Sequence, residues 1–312
     1  MPVSAPARER PDPRTSGVLA AAVASALVFS AGAGVPFLGL LAVAAPFPLI
    51  VLRVRGSLGA AVLAALLAAV TIGTVFSTVQ AVGFLAILAA PGLLMGETMA
   101  RGRVLRRGCA WAFALGAALL FAGPFMQNLA LEPLNVWSSP QFQAEMRSSG
   151  LPAERVEDLS QQFLWLREVL RVVYPAVFVI GAALTVIANA TLLAGYLARR
   201  DPGWLEGGEF EEIRWPLGLS VVFVIAGAAV LAPDLRPAAY NVLLVVGFFY
   251  ALQGLAVVAY YAYRLAAPPL LRVALMVLVL VNPWAPQILG AIGLFDTWFD
   301  FRKYARPPAP AS

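Results

Sequence analysis

The sequence of 312 residues has no histidine, one cysteine (Cys109) and one lysine (Lys303). Without histidine it lacks the side chain that titrates near neutral pH and most often serves as general base or metal ligand. With a lone cysteine there is no internal disulfide, and zinc or iron–sulfur ligation is excluded as well. Charge is also scarce: charged residues make up 12% of the chain and hydrophobic ones 61%, where a soluble domain carries roughly 25% charge. No Walker-type loop, nucleophile elbow, HExxH or paired-carboxylate arrangement occurs. These absences predict a protein that is not an enzyme, holds no metal or other cofactor, has no nucleic-acid partner and takes the lipid bilayer as its solvent.

What the sequence does have is long charge-free runs, at 15–52, 56–96, 108–131, 172–198, 215–233, 237–263 and 273–295. About 20 apolar residues cross the hydrocarbon core as a helix. The first two runs are 38 and 41 residues long, and each has a break near its middle, at Gly32-Ala-Gly34-Val-Pro36 and at Phe76-Ser77-Thr78 with Gln80. Each reads as a helical hairpin. The expected fold class is an all-α, polytopic membrane protein of about eight to nine transmembrane helices, near 17–33, 37–52, 57–75, 79–97, 108–130, 170–197, 215–232 and 238–262, with a ninth segment near 270–295. Residues 1–16, rich in proline, read as a disordered cytoplasmic N-terminus, 17–302 as the membrane domain and 303–312 as a tail. Ala31-Gly32-Ala33 resembles a signal-peptide cleavage site, but the apolar sequence resumes at once after Pro36, which suits a retained first helix.

Arginine placement sets the expected orientation. With the N-terminus in the cytoplasm of a bacterial inner membrane, fourteen arginines, among them Arg53, Arg55, Arg101, Arg107, Arg199, Arg214 and Arg264, fall inside, against Arg236 alone in the short outer loops. The outer insertion, about 131–169, contains a stretch from Pro152 to Leu166 that reads as a helix continuous with the sixth span. The ninth segment is interrupted by Asn282-Pro283-Trp284-Ala285-Pro286. A kinked single span, which the lengths of the halves favour, would put Arg302 and Lys303 outside; a re-entrant pair would keep them inside.

Polar residues within the spans are the candidate sites, since ionisable groups at mid-depth are all but absent. Gln80, Gln127, Asn128 and Tyr174 fall near outer span ends, where they could converge on a substrate pocket, or simply bond helix to helix. Thr185 and Asn189, four apart on one face, and Gln253 read as stitches between helices. Glu97 precedes Arg101 by four residues and reads as an interfacial ion pair. Gly92-Leu-Leu-Met-Gly96 is a GxxxG, a candidate partner face. Asp296 and Asp300 share a face if the helix continues through them, and one of them is expected to pair with an arginine of another segment rather than with Arg302 alone.

The pattern Pro46-Phe-Pro48-Leu-Ile-Val-Leu-Arg53-Val-Arg55-Gly56, with Leu93-Leu-Met-Gly96, Tyr250-Ala-Leu-Gln253-Gly254-Leu-Ala-Val257 and the ending Leu289-Gly-Ala-Ile-Gly293-Leu-Phe-Asp296-Thr-Trp-Phe-Asp300-Phe-Arg302-Lys303, resembles the YybS-like family of bacterial membrane proteins, a domain of unknown function. The family-motif residues are then Gln253, Gly254, Asp296, Asp300 and Arg302. Over the first six spans that family is distantly similar to the S components of energy-coupling-factor transporters. The resemblance implies an outward-facing binding pocket and two kinds of partner, a transmembrane coupling protein and separate ATPases. The extra C-terminal segments, the outer insertion and the lack of a substrate motif depart from that pattern. Two functions stay open: a transport-related component that binds a small molecule, and a non-transporting membrane factor in envelope biogenesis or signalling.

Overall fold

The structure, a computed structural model, describes residues 15–34, 36–101, 105–118, 139–150, 152–199, 213–265 and 284–305, with a few single positions between. The described residues are helical, with no strand among them. The chain divides into two compact units, Met1–Gly207 and Gly208–Ser312.

In the first unit α1 (Thr15–Gly34) and α3 (Leu58–Val75) pack through alanine. Ala22 and Ala26 of α1 and Ala60, Ala64, Ala65 and Ala68 of α3 are buried together, while Leu63, Leu66 and Val70 face outward. Small side chains let helices in lipid approach closely, where van der Waals packing holds them together. The alanine richness therefore builds an internal seam. The break expected at 76–78 is present: Ser77 ends the turn by accepting from Gln80 N at 3.2 Å, as Ser57 caps α3 through Ala60 N at 3.1 Å.

The second crossing departs from its expectation. Rather than one helix over 37–52, it is a 3-10 helix (Pro36–Ala44), a turn at Ala45-Pro46 and a short α2 (Phe47–Arg55). Pro46 and Pro48 cause the break, because neither offers an N–H to the carbonyls behind it. The fourth crossing, α4 (Thr78–Ala100), is continuous but rewinds over Phe84–Ala89 into a π turn, where Ala90 N donates to Leu85 O, five residues back. Pro91 follows directly and has no N–H to sustain ordinary winding there. Gly92 and Gly96 do not present an outer partner face. A Cβ on Gly92 would stand 2.6 Å from Pro46 Cβ and one on Gly96 3.2 Å from Arg53 Cβ, so the GxxxG seats α2 of the same chain.

Next come α5 (Leu105–Ala118), a short α6 (Pro140–Ser148) and α7 (Ala153–Ala198). The 46 residues of α7 extend about 69 Å, more than twice a hydrocarbon core of about 30 Å. Its polar first half and apolar second half are one helix, as expected, joined across Pro175.

The second unit holds α8 (Leu217–Ala229), α9 (Arg236–Arg264), α10 (Ala285–Phe299) and a 3-10 turn, Phe301–Ala305, to which Lys303 belongs. Asn282 Oδ1 accepts from Trp284 N at 2.9 Å and Pro286 lies in the first turn of α10, where its missing N–H costs no helical bond; Pro283 lies outside the described residues. The helices α9 and α10 are parallel: a Cβ on Gly290 would meet Gly247, Gln253 bonds Asp296, and Tyr261 bonds Phe301. The chain thus leaves α9 and enters α10 at opposite ends of the pair. This corrects the kinked-span expectation, which separates Arg302 and Lys303 from Arg264. They lie at the same end, because Tyr261, one turn before Arg264, donates to Phe301 O at 2.7 Å.

Among the described residues, five helices are long and apolar enough to cross a membrane: Ser16–Gly34, Leu58–Val75, Thr78–Ala100, Ala153–Leu197 and Pro233–Ala262, with Leu217–Ala229 a shorter apolar helix.

Candidate functional site

The first unit brings three irregularities to one place. The 3-10 segment ends at Ala44 and Pro46 has no N–H, so the carbonyl of Val43 loses the donor that the third residue on would supply. Asn189 of α7 replaces it, donating from Nδ2 to Val43 O at 2.7 Å and to Thr185 O at 2.7 Å. Pro91, at the end of the π turn, and Gly92, which abuts Pro46, line a narrow gap beside Asn189, with Met95, Ala112 and Thr185 completing it. Asn189 is 1% exposed and its Oδ1 accepts from no protein donor. An acceptor left so costs about 1–3 kcal/mol.

The second unit carries a connected polar cluster. Asp296, one turn before the end of α10, accepts through Oδ2 from Gln253 Nε2 at 2.9 Å and Arg302 Nη2 at 2.7 Å, and through Oδ1 from Phe301 N at 2.9 Å. The side chains of Arg302 and Asp296 are 2% and 1% exposed. Arg302 also donates to Ile213 O at 2.9 Å, and Gln253 Oε1 accepts from Trp215 N at 2.9 Å. Trp215 Nε1 donates to Phe249 O at 2.7 Å, which ties the start of α8 to α9. Outside this core, Arg214 pairs with the partly exposed Asp300 at 2.7 Å.

A backbone reversal makes the cluster possible. Asp300 adopts φ 45° and ψ 65°, the only positive φ of a non-glycine residue among the described ones, and closes α10 with its N–H on Asp296 O. The reversal swings Arg302 back onto Asp296. The helices can meet closely enough only because Gly254 and Gly293 carry no Cβ; one on Gly293 would land on Tyr250 O, one on Gly254 on Leu289 O.

A family model described as Predicted membrane protein (DUF2232) matches residues 22–297. The chain belongs to this family. The match takes in both units, from α1 to the last turn of α10, and ends between Asp296 and Asp300. Comparison with curated proteins and with solved structures gave no significant match.

Of the residues singled out from the sequence motifs, Gln253, Gly254, Asp296, Asp300 and Arg302 lie together in the second unit. Asp300 pairs with an arginine of another segment, as expected, whereas the pairing of Asp296 with Arg302 was not, since it needs the chain to leave the helix at Asp300. Gln127 and Asn128 lie outside the described residues, and no hydrogen bond joins Gln80 of α4 to Tyr174 of α7, though Gln80 Oε1 is buried without a protein donor. Sequence reasoning placed Asn189 as a helix stitch and missed the orphaned Val43 carbonyl it serves. The signal was present in the Pro46-Phe-Pro48 pair. At the end of the first unit Glu97 joins Arg101 at 2.6 Å, as expected, and also Arg53 of α2 at 2.5 Å.

Proposed function

We propose that this chain is a transport-related component of the bacterial cytoplasmic membrane, with a cytoplasmic N-terminus, that binds a small molecule and relies on separate subunits for energy. The observation that carries the reading is the meeting of a broken crossing, a π turn and the unpartnered acceptor of Asn189 at one point inside a helical bundle. Irregular backbone is tolerated at membrane depth where protein buries it or where it lines a cavity, and transporters build sites from such breaks. On this reading the gap beside Asn189 opens around the ligand, and Gln80, Gln127, Asn128 and Tyr174 line its outer approach. If the motif resemblance to YybS-like proteins extends to S components, the partners are a coupling protein and ATPases. The test is isolation from native membranes in mild detergent, followed by mass spectrometry of extracted small molecules and of co-isolated proteins. A released ligand that Asn189→Leu fails to carry, or ATPase subunits in the complex, is the expected result.

The alternative, a non-transporting factor in envelope biogenesis or signalling, is favoured by the second unit, whose motif residues Gln253, Asp296 and Arg302 are bonded into one closed cluster. Isolation of the chain free of ligand and ATPases, with normal solute uptake after deletion, would establish that alternative.

A further inference from the structure

Four helix ends meet at one end of the first unit. The last turn of α2, the C-termini of α4 and α7 and the first turn of α5 are gathered by a core that includes Ile50, Met95, Met99, Leu193 and Leu197. They bring Arg53, Arg55, Arg101, Arg107 and Arg199 to this rim, where Glu97 is the one carboxylate among the described residues. Among the described side chains, five cations against one anion leave 5 − 1 = +4.

Glu97 holds Arg53, 12% exposed, and Arg101. The remaining three, Arg55, Arg107 and Arg199, are exposed, and no ion pair ties them to a carboxylate among the described residues. Arg55 lies over the ring of Tyr196 at 4.9 Å, which bridges α2 to α7 and holds the guanidinium at the edge of the bundle. Arginines at the C-terminal ends of α2, α4 and α7 complement the helix dipole, but Arg107 opens α5, where the dipole disfavours a cation. Its place there calls for an anion that the described protein does not supply.

We infer that this rim is a binding site for the phosphodiester headgroup of an anionic phospholipid, held by Arg55, Arg107 and Arg199. The rim lies where apolar crossings end, at the depth of lipid headgroups, and basic pockets between transmembrane helices are where such headgroups bind. Tyr196, an aromatic ring with a polar tip, suits the same depth. Guanidinium forks match phosphate oxygens in geometry as well as charge.

The experiment is thermal unfolding of the full chain in nanodiscs of pure phosphatidylcholine and in others containing cardiolipin or phosphatidylglycerol. The expected result is a higher midpoint in both anionic bilayers, lost in Arg55→Ala/Arg107→Ala/Arg199→Ala and kept in the triple lysine variant, with all proteins alike in phosphatidylcholine. An equal rise from millimolar inorganic phosphate in phosphatidylcholine would overturn the lipid assignment in favour of a soluble anion. An unchanged rise in the alanine variant would overturn the residue assignment. A rise that appears only after Asp201, Glu206, Glu209, Glu211 and Glu212 are neutralised would assign the rim to the chain's own acidic stretch and overturn the proposal.

Discussion

Arg302→Gln removes the cation from a pair whose two side chains are 2% and 1% exposed. Asp296 would keep Phe301 N and Gln253 Nε2 but would face them as a buried carboxylate without its counter-charge. Breaking a buried pair from one side costs about 3–5 kcal/mol, because the remaining charge is uncompensated. The reverse variant, Asp296→Asn, leaves a buried guanidinium and turns an amide toward Gln253 Nε2, donor against donor; a loss of the same size is expected. In the double variant no charge remains buried, and its cost should fall below the sum of the two single losses by at least about 2 kcal/mol. The second unit spans Gly208–Ser312, and for a domain of about that size each kcal/mol moves the midpoint by roughly 4–8 °C. Each single variant should therefore lose on the order of 10 °C or more, and the double variant should recover part of it. Tryptophan fluorescence suits the assay, since Trp215 is bonded to Gln253 and Phe249 within the cluster. Strictly additive losses, or midpoints unchanged in both single variants, would refute the reasoning.

Gly293→Ala and Gly254→Ala each put a methyl group on facing backbone and should sharply lower folded yield in detergent size-exclusion profiles, while Gly247→Ala, with open space around its Cβ, should not. Asp300→Gly relaxes the left-handed turn but loses a partly exposed ion pair, so its stability should stay within about 1 kcal/mol of wild type; Asp300→Val should cost about 1–2 kcal/mol more through the backbone alone, read by the same unfolding assay. In a Cys109→Ala background, single cysteines at Lys303 and at Leu265 should share one pattern of labelling by an impermeant thiol reagent in intact cells, and opposite patterns would break the parallel arrangement of α9 and α10.

The sequence made the positions of crossings legible but not their inner form. Charge-free runs report where lipid is tolerated, and so located α1, α3, α4 and the apolar half of α7 within a few residues. They are blind to hydrogen bonding, so the prolines at 46, 48 and 91 passed as apolar residues although they decide where a crossing breaks or winds wide. The site divides in the same way. Gln253 and Asp296 could be marked as polar groups needing partners, and Asp300 as needing a distant arginine. The Asp296–Arg302 pair was hidden because helical spacing was carried through Asp300, and a single left-handed residue reverses what spacing predicts. Glycines 254 and 293 stood in the motif without a stated purpose, since their role depends on a helix some forty residues away in sequence.

The parallel pairing of α9 and α10 also constrains how the protein is made. Both helices run in the same direction, and α9 is synthesised first. Until α10 arrives, α9 stands with Gln253 and the bare backbone at Gly254 turned toward whatever surrounds it, a face that lipid solvates badly. Closure of the cluster therefore waits for the residues that follow α10, and a chain cut before Arg302 leaves the buried Asp296 carboxylate without its counter-charge.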